Sequence, residues 1–92
     1  MKKDMGRFKE SITTALDLPL DVALDLPKIE IIGDVRINIT NHKGIIEYTN
    51  DLIRINSKIG MIKITGQGLE IKNVLMEEIS INGLIEKVEI IR

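Results

Sequence analysis

Apolar and polar residues alternate with two different periods along the chain, and the period changes at Pro27. Between residues 4 and 16 the apolar residues recur at spacings of three and four, which places them on one face of a helix. The residues of this apolar stripe are Met5, Phe8, Ile12, Ala15 and Leu16. Pro19 ends the predicted N-terminal amphipathic helix, because proline lacks an amide donor, and a short helical turn is expected over residues 20–24.

After Pro27 the period becomes two, which is the repeat of a β-strand. Eight short alternations are present: Ile29/Ile31, Val35/Ile37/Ile39, Ile46/Tyr48, Ile53/Ile55, Ile62/Ile64, Leu69/Ile71, Ile79/Ile81 and Val88/Ile90. The positions between them are mostly polar, so each strand buries one face and exposes the other, as antiparallel sheets do. The sequence therefore predicts a mainly β fold behind an N-terminal helix, with about eight short strands in a curled antiparallel sheet or sandwich.

Glycine, asparagine and aspartate separate these runs, because they tolerate the positive φ of tight turns. Residues 66–68 (Gly-Gln-Gly) and residues 82–83 (Asn-Gly) are interpreted as two such turns. The pattern Ile-x-Ile-x-Gly occurs at residues 62–66 and again at 79–83, which leaves a β-solenoid-like coil as the alternative fold. Residues 1–26 (helix and helical turn) and 27–92 (β region) are expected to form one folding unit.

The composition narrows the possible functions. Nineteen isoleucines but only two aromatic residues, Phe8 and Tyr48, give a core of β-branched aliphatics and few platforms for stacking nucleic-acid bases. The formal charge is −1, so no strong field attracts a polyanion, and nucleic-acid binding is not expected. Cysteine is absent, which indicates a reducing compartment such as the cytoplasm. We expect no transmembrane segment, since the chain has no run of about 20 apolar residues.

Groups that perform catalysis are scarce. His42 is the only histidine and lies in a turn-like segment, so we interpret it as a solvated turn residue rather than a metal ligand or a general base. The 66–68 turn joins strand to strand and lacks the helix N-terminus that would hold a phosphate. Asp17, Asp21 and Asp25 repeat every four residues and are interpreted as an exposed acidic edge. No catalytic residue, metal site or cofactor is predicted, and the protein is not expected to be an enzyme.

Two surfaces are candidates for binding. The apolar stripe of the N-terminal helix is favoured to pack on the sheet or on another subunit, and its basic periphery leaves an anionic membrane surface as the alternative. The edges of an isoleucine-rich open sheet can recruit another strand, either from a second copy or from a partner.

The order of several short motifs resembles the YabP/YqfC family of sporulation proteins, and is closer to its YqfC branch. The resemblance covers nearly the whole chain. It rests on the segment Leu18-Pro19-Leu20-Asp21-Val22-Ala23-Leu24-Asp25-Leu26-Pro27, on Ile39-Thr40-Asn41-His42-Lys43-Gly44-Ile45-Ile46-Glu47-Tyr48, and on Gly60-x-Ile62-x-Ile64-x-Gly66-x-x-Leu69 and Ile81-x-Gly83-x-Ile85. The sequence departs from the family pattern at Thr40, where an acidic residue is more typical.

This resemblance implies a non-catalytic role in endospore formation, in the cytoplasm of the mother cell or at the periphery of a membrane. It also implies a membrane-protein partner at the spore envelope. Assembly into a homo-oligomer is the other expected mode of action. The alternative function is that of a glycan- or ligand-binding module. The candidate interaction residues are Met5, Phe8, Ile12 and Leu16 on the helix, and Asn41, His42, Lys43, Gly44 and Tyr48 in the motif matched by the family.

Overall fold

The computed structural model describes residues 20–75 and 78–92. A single turn of helix, α1 (Leu20–Ala23), precedes six strands: β1 (Lys28–Ile32), β2 (Arg36–Thr40), β3 (Ile45–Tyr48), β4 (Leu52–Ser57), β5 (Gly60–Leu75) and β6 (Glu78–Ile91). The helical turn expected over residues 20–24 is thus present, and Leu24 N donates to the Leu20 carbonyl at 3.0 Å. The predicted helix over residues 4–16 lies outside the described residues.

All six strands form one antiparallel sheet with the order β1-β2-β6-β5-β4-β3. The sheet does not close, because β1 and β3 lie at opposite ends of this order. The predicted antiparallel β fold is confirmed. The alternative β-solenoid-like coil is wrong, since every strand pair is antiparallel and formed between chain segments that run back and forth.

The long β5–β6 hairpin is shared between two smaller sheets. The part of β6 that pairs with β2 is residues 78–82, and the part of β5 that pairs with β4 is residues 60–65. We call β1, β2 and the paired residues 78–82 and 70–75 the tip half-sheet. We call β3, β4 and the paired residues 60–65 and 87–91 the base half-sheet.

The hydrophobic core lies between these half-sheets. Nine side chains have 0% exposure: Ile37, Ile39, Ile79 and Ile81 from the tip half-sheet, Ile53, Ile55, Ile62 and Ile64 from the base half-sheet, and Leu69 from the segment that joins them. A strand residue is wholly buried only if a second layer covers its face of the sheet. Because these nine form one contact cluster, the two half-sheets pack face to face as an open sandwich.

The prediction of eight strands is wrong, because two pairs of predicted strands are continuous. Residues 62–71 lie within β5 and residues 79–90 within β6, so the expected turns at 66–68 and 82–83 are irregularities inside strands. The two strands approach closely there. A Cβ at Gly66 would overlap the Leu84 carbonyl oxygen, and one at Gly83 would lie 2.7 Å from the Gly68 carbonyl oxygen. These glycines permit backbone contact at a bend and do not reverse the chain.

Candidate interaction site at the crossover between half-sheets

Residues 41–44 carry the chain from β2 of the tip half-sheet to β3 of the base half-sheet. Asn41 adopts a φ of +64° and Gly44 a φ of +123°. Asparagine is among the few residues that adopt the left-handed conformation readily, and glycine has no Cβ to oppose it. The local sequence thus suits an abrupt change of direction, and we call residues 41–44 the crossover turn.

His42 is buried in the crossover turn, with 7% of its surface exposed. Gly44 N donates to His42 Nδ1 at 3.0 Å, so Nδ1 is the acceptor of a hydrogen bond from the backbone of the turn. Nε2 is buried and has no hydrogen-bond partner among the described residues. The interpretation of His42 as a solvated turn residue is therefore wrong, because the ring accepts a hydrogen bond from the turn's own backbone and faces inward.

The crossover turn is also hydrogen-bonded to the backbone at the end of β4. Lys43 N donates to the Asn56 carbonyl at 2.7 Å, and Asn56 N donates to the Gly44 carbonyl at 2.8 Å. These two bonds hold the turn against the base half-sheet, in the manner of an additional pair of strand residues. The backbone around the candidate residues is thereby fixed on both sides.

Asp25 connects the crossover turn to the segment that precedes β1. Asn41 Nδ2 donates to Asp25 Oδ1 at 2.8 Å and to the Leu26 carbonyl at 3.2 Å. Lys43 Nζ lies 3.6 Å from Asp25 Oδ2. The hydrogen bond from Asn41 and, next, the positive charge of Lys43 lower the pKa of Asp25 below its ordinary value of 3.8.

A second lysine reaches the same segment from the β4–β5 turn. Lys58 Nζ donates to the Leu24 carbonyl at 3.3 Å, one residue before Asp25, whose φ of +57° ends the helical turn. The carboxylate of Asp25 and the ammonium groups of Lys43 and Lys58 therefore meet at this segment. Sequence reasoning missed the role of Asp25 and Lys58, although an aspartate and an asparagine that both favour positive φ were a usable signal.

Tyr48 lies at the opposite end of β3 from the crossover turn, so the structure does not bring it together with residues 41–44. Ile71 N of β5 donates to the Tyr48 hydroxyl at 3.0 Å, and 49% of the tyrosine remains exposed. The Tyr48 hydroxyl thus satisfies an amide on the edge of β5. The candidate residues Met5, Phe8, Ile12 and Leu16 lie outside the described residues and stay a prediction.

The strand edges form the second candidate surface. Outside the segments that pair with β2 and β4, the strands β6 and β5 pair only with each other among the described residues. The outer strands β1 and β3 also have one partner strand each within that part of the chain. Isoleucines near these edges are partly open to solvent: Ile31 54%, Ile32 49%, Ile45 39%, Ile46 48%, Ile90 48% and Ile91 40% exposed. Unpaired backbone next to aliphatic side chains is suited to strand addition.

Neither surface has the composition of a metal site. Within residues 20–75 and 78–92, no group of three or more histidine, aspartate or glutamate side chains is placed to hold a metal ion. The same described part contains no helix long and apolar enough to cross a membrane. What the crossover turn offers chemically is a fixed arrangement of exposed charges and hydrogen-bonding groups.

Comparison with known proteins identifies relatives of nearly the whole chain. The sequence model described as the YabP family matches residues 25–91. An uncharacterized protein, YqfC of Bacillus subtilis (strain 168), is 38% identical over 88 residues, which cover 96% of this chain and 95% of the relative. The match includes both the crossover turn and the β5–β6 hairpin. No solved structure matches the chain.

Proposed function

Because the chain belongs to the YabP family, we propose that it is a non-catalytic sporulation protein that acts in endospore formation by binding other proteins. Membership of this family implies a sporulation-related role. The structural observation that carries the binding role is the open sandwich, in which four edge segments are each paired on one side only within the described residues. Such edges favour protein partners over small molecules.

The position of the one histidine supports a role without catalysis. A general base must present a ring nitrogen that can accept a proton at an accessible surface. In His42 the Nδ1 atom already accepts from Gly44 N, and the ring is buried. The glycan-binding alternative would depend on Tyr48, the one aromatic residue in the described part, whose hydroxyl is engaged by Ile71. Protein binding is therefore the preferred function.

The crossover turn is the proposed contact for a membrane-protein partner at the spore envelope, met from the cytoplasm of the mother cell. Lys43 and Asp25 are both about half exposed and are held in place by Asn41 and by the β4 backbone. A fixed pair of exposed charges suits specific recognition because little conformational freedom is lost on binding. The partner itself is an implication of the family resemblance.

The test is complementation of a deletion strain in a sporulating host that encodes this chain. The Lys43→Glu variant should lower the yield of heat-resistant spores and the fraction of the protein recovered with mother-cell membranes, because it places a negative charge beside Asp25. Lys72→Glu is the matched control, since Lys72 pairs with Glu70 on β5, away from the crossover turn.

Equal spore yields for the two variants would contradict the proposed role of the crossover turn. A deletion strain that sporulates normally would contradict the sporulation role itself. Removing residues 1–17 tests whether the N-terminal segment, and not the crossover turn, holds the protein at the membrane. Unchanged fractionation excludes an N-terminal anchor and supports the role of the crossover turn.

A further inference from the structure

We propose that β6 pairs with β6 of a second copy of this chain, antiparallel, with Val88 opposite Val88 of the partner copy. The pairing would join two base half-sheets into one continuous sheet. This inference deepens the proposed function, on which it rests, by naming one protein that the free edges bind. The argument depends on where β6 is unpaired, on the regularity of that edge, and on the order of its charges.

The free edge of β6 is limited to its final residues. β2 pairs with β6 as far as Asn82. Gly83 N then donates to the Val35 carbonyl at 3.2 Å, and Ile85 N donates to the Asp34 carbonyl at 2.7 Å. The β1–β2 turn therefore covers the edge at the bend. From residue 87 to residue 91, only β5 pairs with β6 among the described residues.

This segment is a regular strand. Its pairing with β5 runs without interruption from Lys87 opposite Thr65 to Ile91 opposite Met61. Residues 87–91 contain no proline or glycine, and no bulge turns the edge away. β3, by comparison, has a register irregularity between Ile45 and Glu47. Within the described residues, charge is the device that protects this edge of β6.

The charges on this edge are arranged so that two antiparallel copies of it can place opposite charges side by side. Lys87 and Glu89 lie on the same outer face, and their charged groups are 3.6 Å apart, with 65% and 32% of the side chains exposed. In an antiparallel pair centred on Val88, Lys87 of each copy lies opposite Glu89 of the other. A pair centred on Glu89 or on Lys87 would instead place like charges opposite each other, which is unfavourable. Of these three registers, the order of the charges favours the one centred on Val88.

The neighbouring strand β5 contributes one further pair of opposite charges. Glu89 lies beside Lys63 of β5. In the proposed dimer Glu89 has a lysine on each side, one from β5 and one from the partner copy. On the opposite face Ile90, which is 48% exposed, lies beside the new strand and loses solvent contact.

β1 provides an internal control, because its sequence Lys-Ile-Glu-Ile-Ile at residues 28–32 repeats the order Lys-Val-Glu-Ile-Ile of residues 87–91. β1 is also an edge strand. The helical turn α1 lies immediately before β1 in the chain, whereas β6 is the last strand. We therefore assign the self-association to β6 and use β1 for matched variants.

The experiment measures the dimer dissociation constant of the full chain by sedimentation equilibrium, with circular dichroism as a check on folding. Lys87→Glu and Glu89→Lys, each alone, place like charges opposite twice, so each should weaken the dimer about tenfold or more. The double variant K87E/E89K restores opposite charges in the same register and should dimerise as the natural sequence does. An equimolar mixture of the two single variants should form a heterodimer, because their charges are complementary.

The matched β1 variants Lys28→Glu and Glu30→Lys should leave the dissociation constant unchanged. A natural chain that is monomeric at every concentration would overturn the proposal. So would a dimer that the β6 single variants do not weaken, or that the β1 variants weaken equally. Any of these three results would leave the sporulation role standing, because spore yield in the complementation test is measured independently of the dimer.

Discussion

At the scale of single residues, Asp25 connects local chemistry to the stability of the fold. Its carboxylate accepts from Asn41 and faces Lys43, and these contacts lower its pKa from 3.8. A lowered pKa in the folded state means that the carboxylate stabilises the fold at pH values above 3.8, and that this contribution is lost as the pH falls through the lower folded value.

Asp25→Asn should therefore make the free energy of unfolding depend less on pH in the acid range. We expect its urea midpoint to change less between pH 5 and 2 than that of the natural sequence. Lys43→Met should move the Asp25 titration upward in a carboxylate NMR experiment, because it removes the nearby positive charge. If the urea midpoints of Asp25→Asn and of the natural protein change equally between pH 5 and 2, this role of Asp25 is contradicted.

Isoleucines that lie side by side on neighbouring strands differ in how deeply they are buried. Ile31 of β1, Ile37 of β2 and Ile81 of β6 are direct neighbours on the core face, yet Ile37 is 0% and Ile31 54% exposed. Ile37→Ala should lower the free energy of unfolding by about 2–5 kcal/mol, because it leaves a cavity. Ile31→Ala should lower it by about 1 kcal/mol or less, since water already reaches that side chain. Chemical denaturation of both variants measures the difference, and equal losses would place β1 within the core.

At the scale of secondary structure, the sequence predicts which residues are buried better than it predicts where strands end. The eight fully buried isoleucines all come from alternations that are visible in the sequence. The strand ends predicted at residues 66–68 and 82–83 are wrong, because a glycine marks a turn and a bulge equally well. Only the facing strand, with the Leu84 carbonyl beside Gly66, decides between the two.

The glycines of the bend provide the next prediction. Gly66→Ala should destabilise the protein by about 2 kcal/mol or more, because the new methyl group would overlap a backbone carbonyl that cannot easily move. Gly68→Asn is the matched control: Gly68 has a φ of +60°, which asparagine tolerates, and no atom lies within 4 Å of a Cβ placed there. Thermal unfolding should rank the two variants clearly, and a stable Gly66→Ala protein would exclude the close approach.

The candidate site was predicted less completely than the strands. The motif at residues 41–44 is visible in the sequence, and its asparagine and glycine adopt the positive φ that their residue types favour. The inward orientation of His42 follows from a turn hydrogen bond that no spacing rule indicates. Its link to Asp25 joins residues 16 positions apart, which depends on the docking of the chain before β1.

At the scale of the whole molecule, the two half-sheets share one hairpin and one core, so we expect them to unfold together. Tyr48, the single tyrosine of the chain, lies on β3 and reports on the base half-sheet. Ile37→Ala lies in the tip half-sheet, and it should shift the Tyr48 fluorescence transition and the circular dichroism transition by the same amount. Ile55→Ala is the corresponding variant in the base half-sheet. Separate transitions for Ile37→Ala would show that the half-sheets are independent units.

The strand order also has a consequence for synthesis on the ribosome. The two central strands, β5 and β6, are the last of the six to be made, and they join the β1–β2 hairpin to the β3–β4 hairpin through β2 and β4. A nascent chain that has emerged only as far as β4 can form the β1–β2 and β3–β4 hairpins, and two-stranded hairpins are marginally stable alone. β4 therefore lacks its central partner until β5 is made, and β2 lacks its central partner until translation passes β6, which makes this interval the one in which a chaperone would be needed.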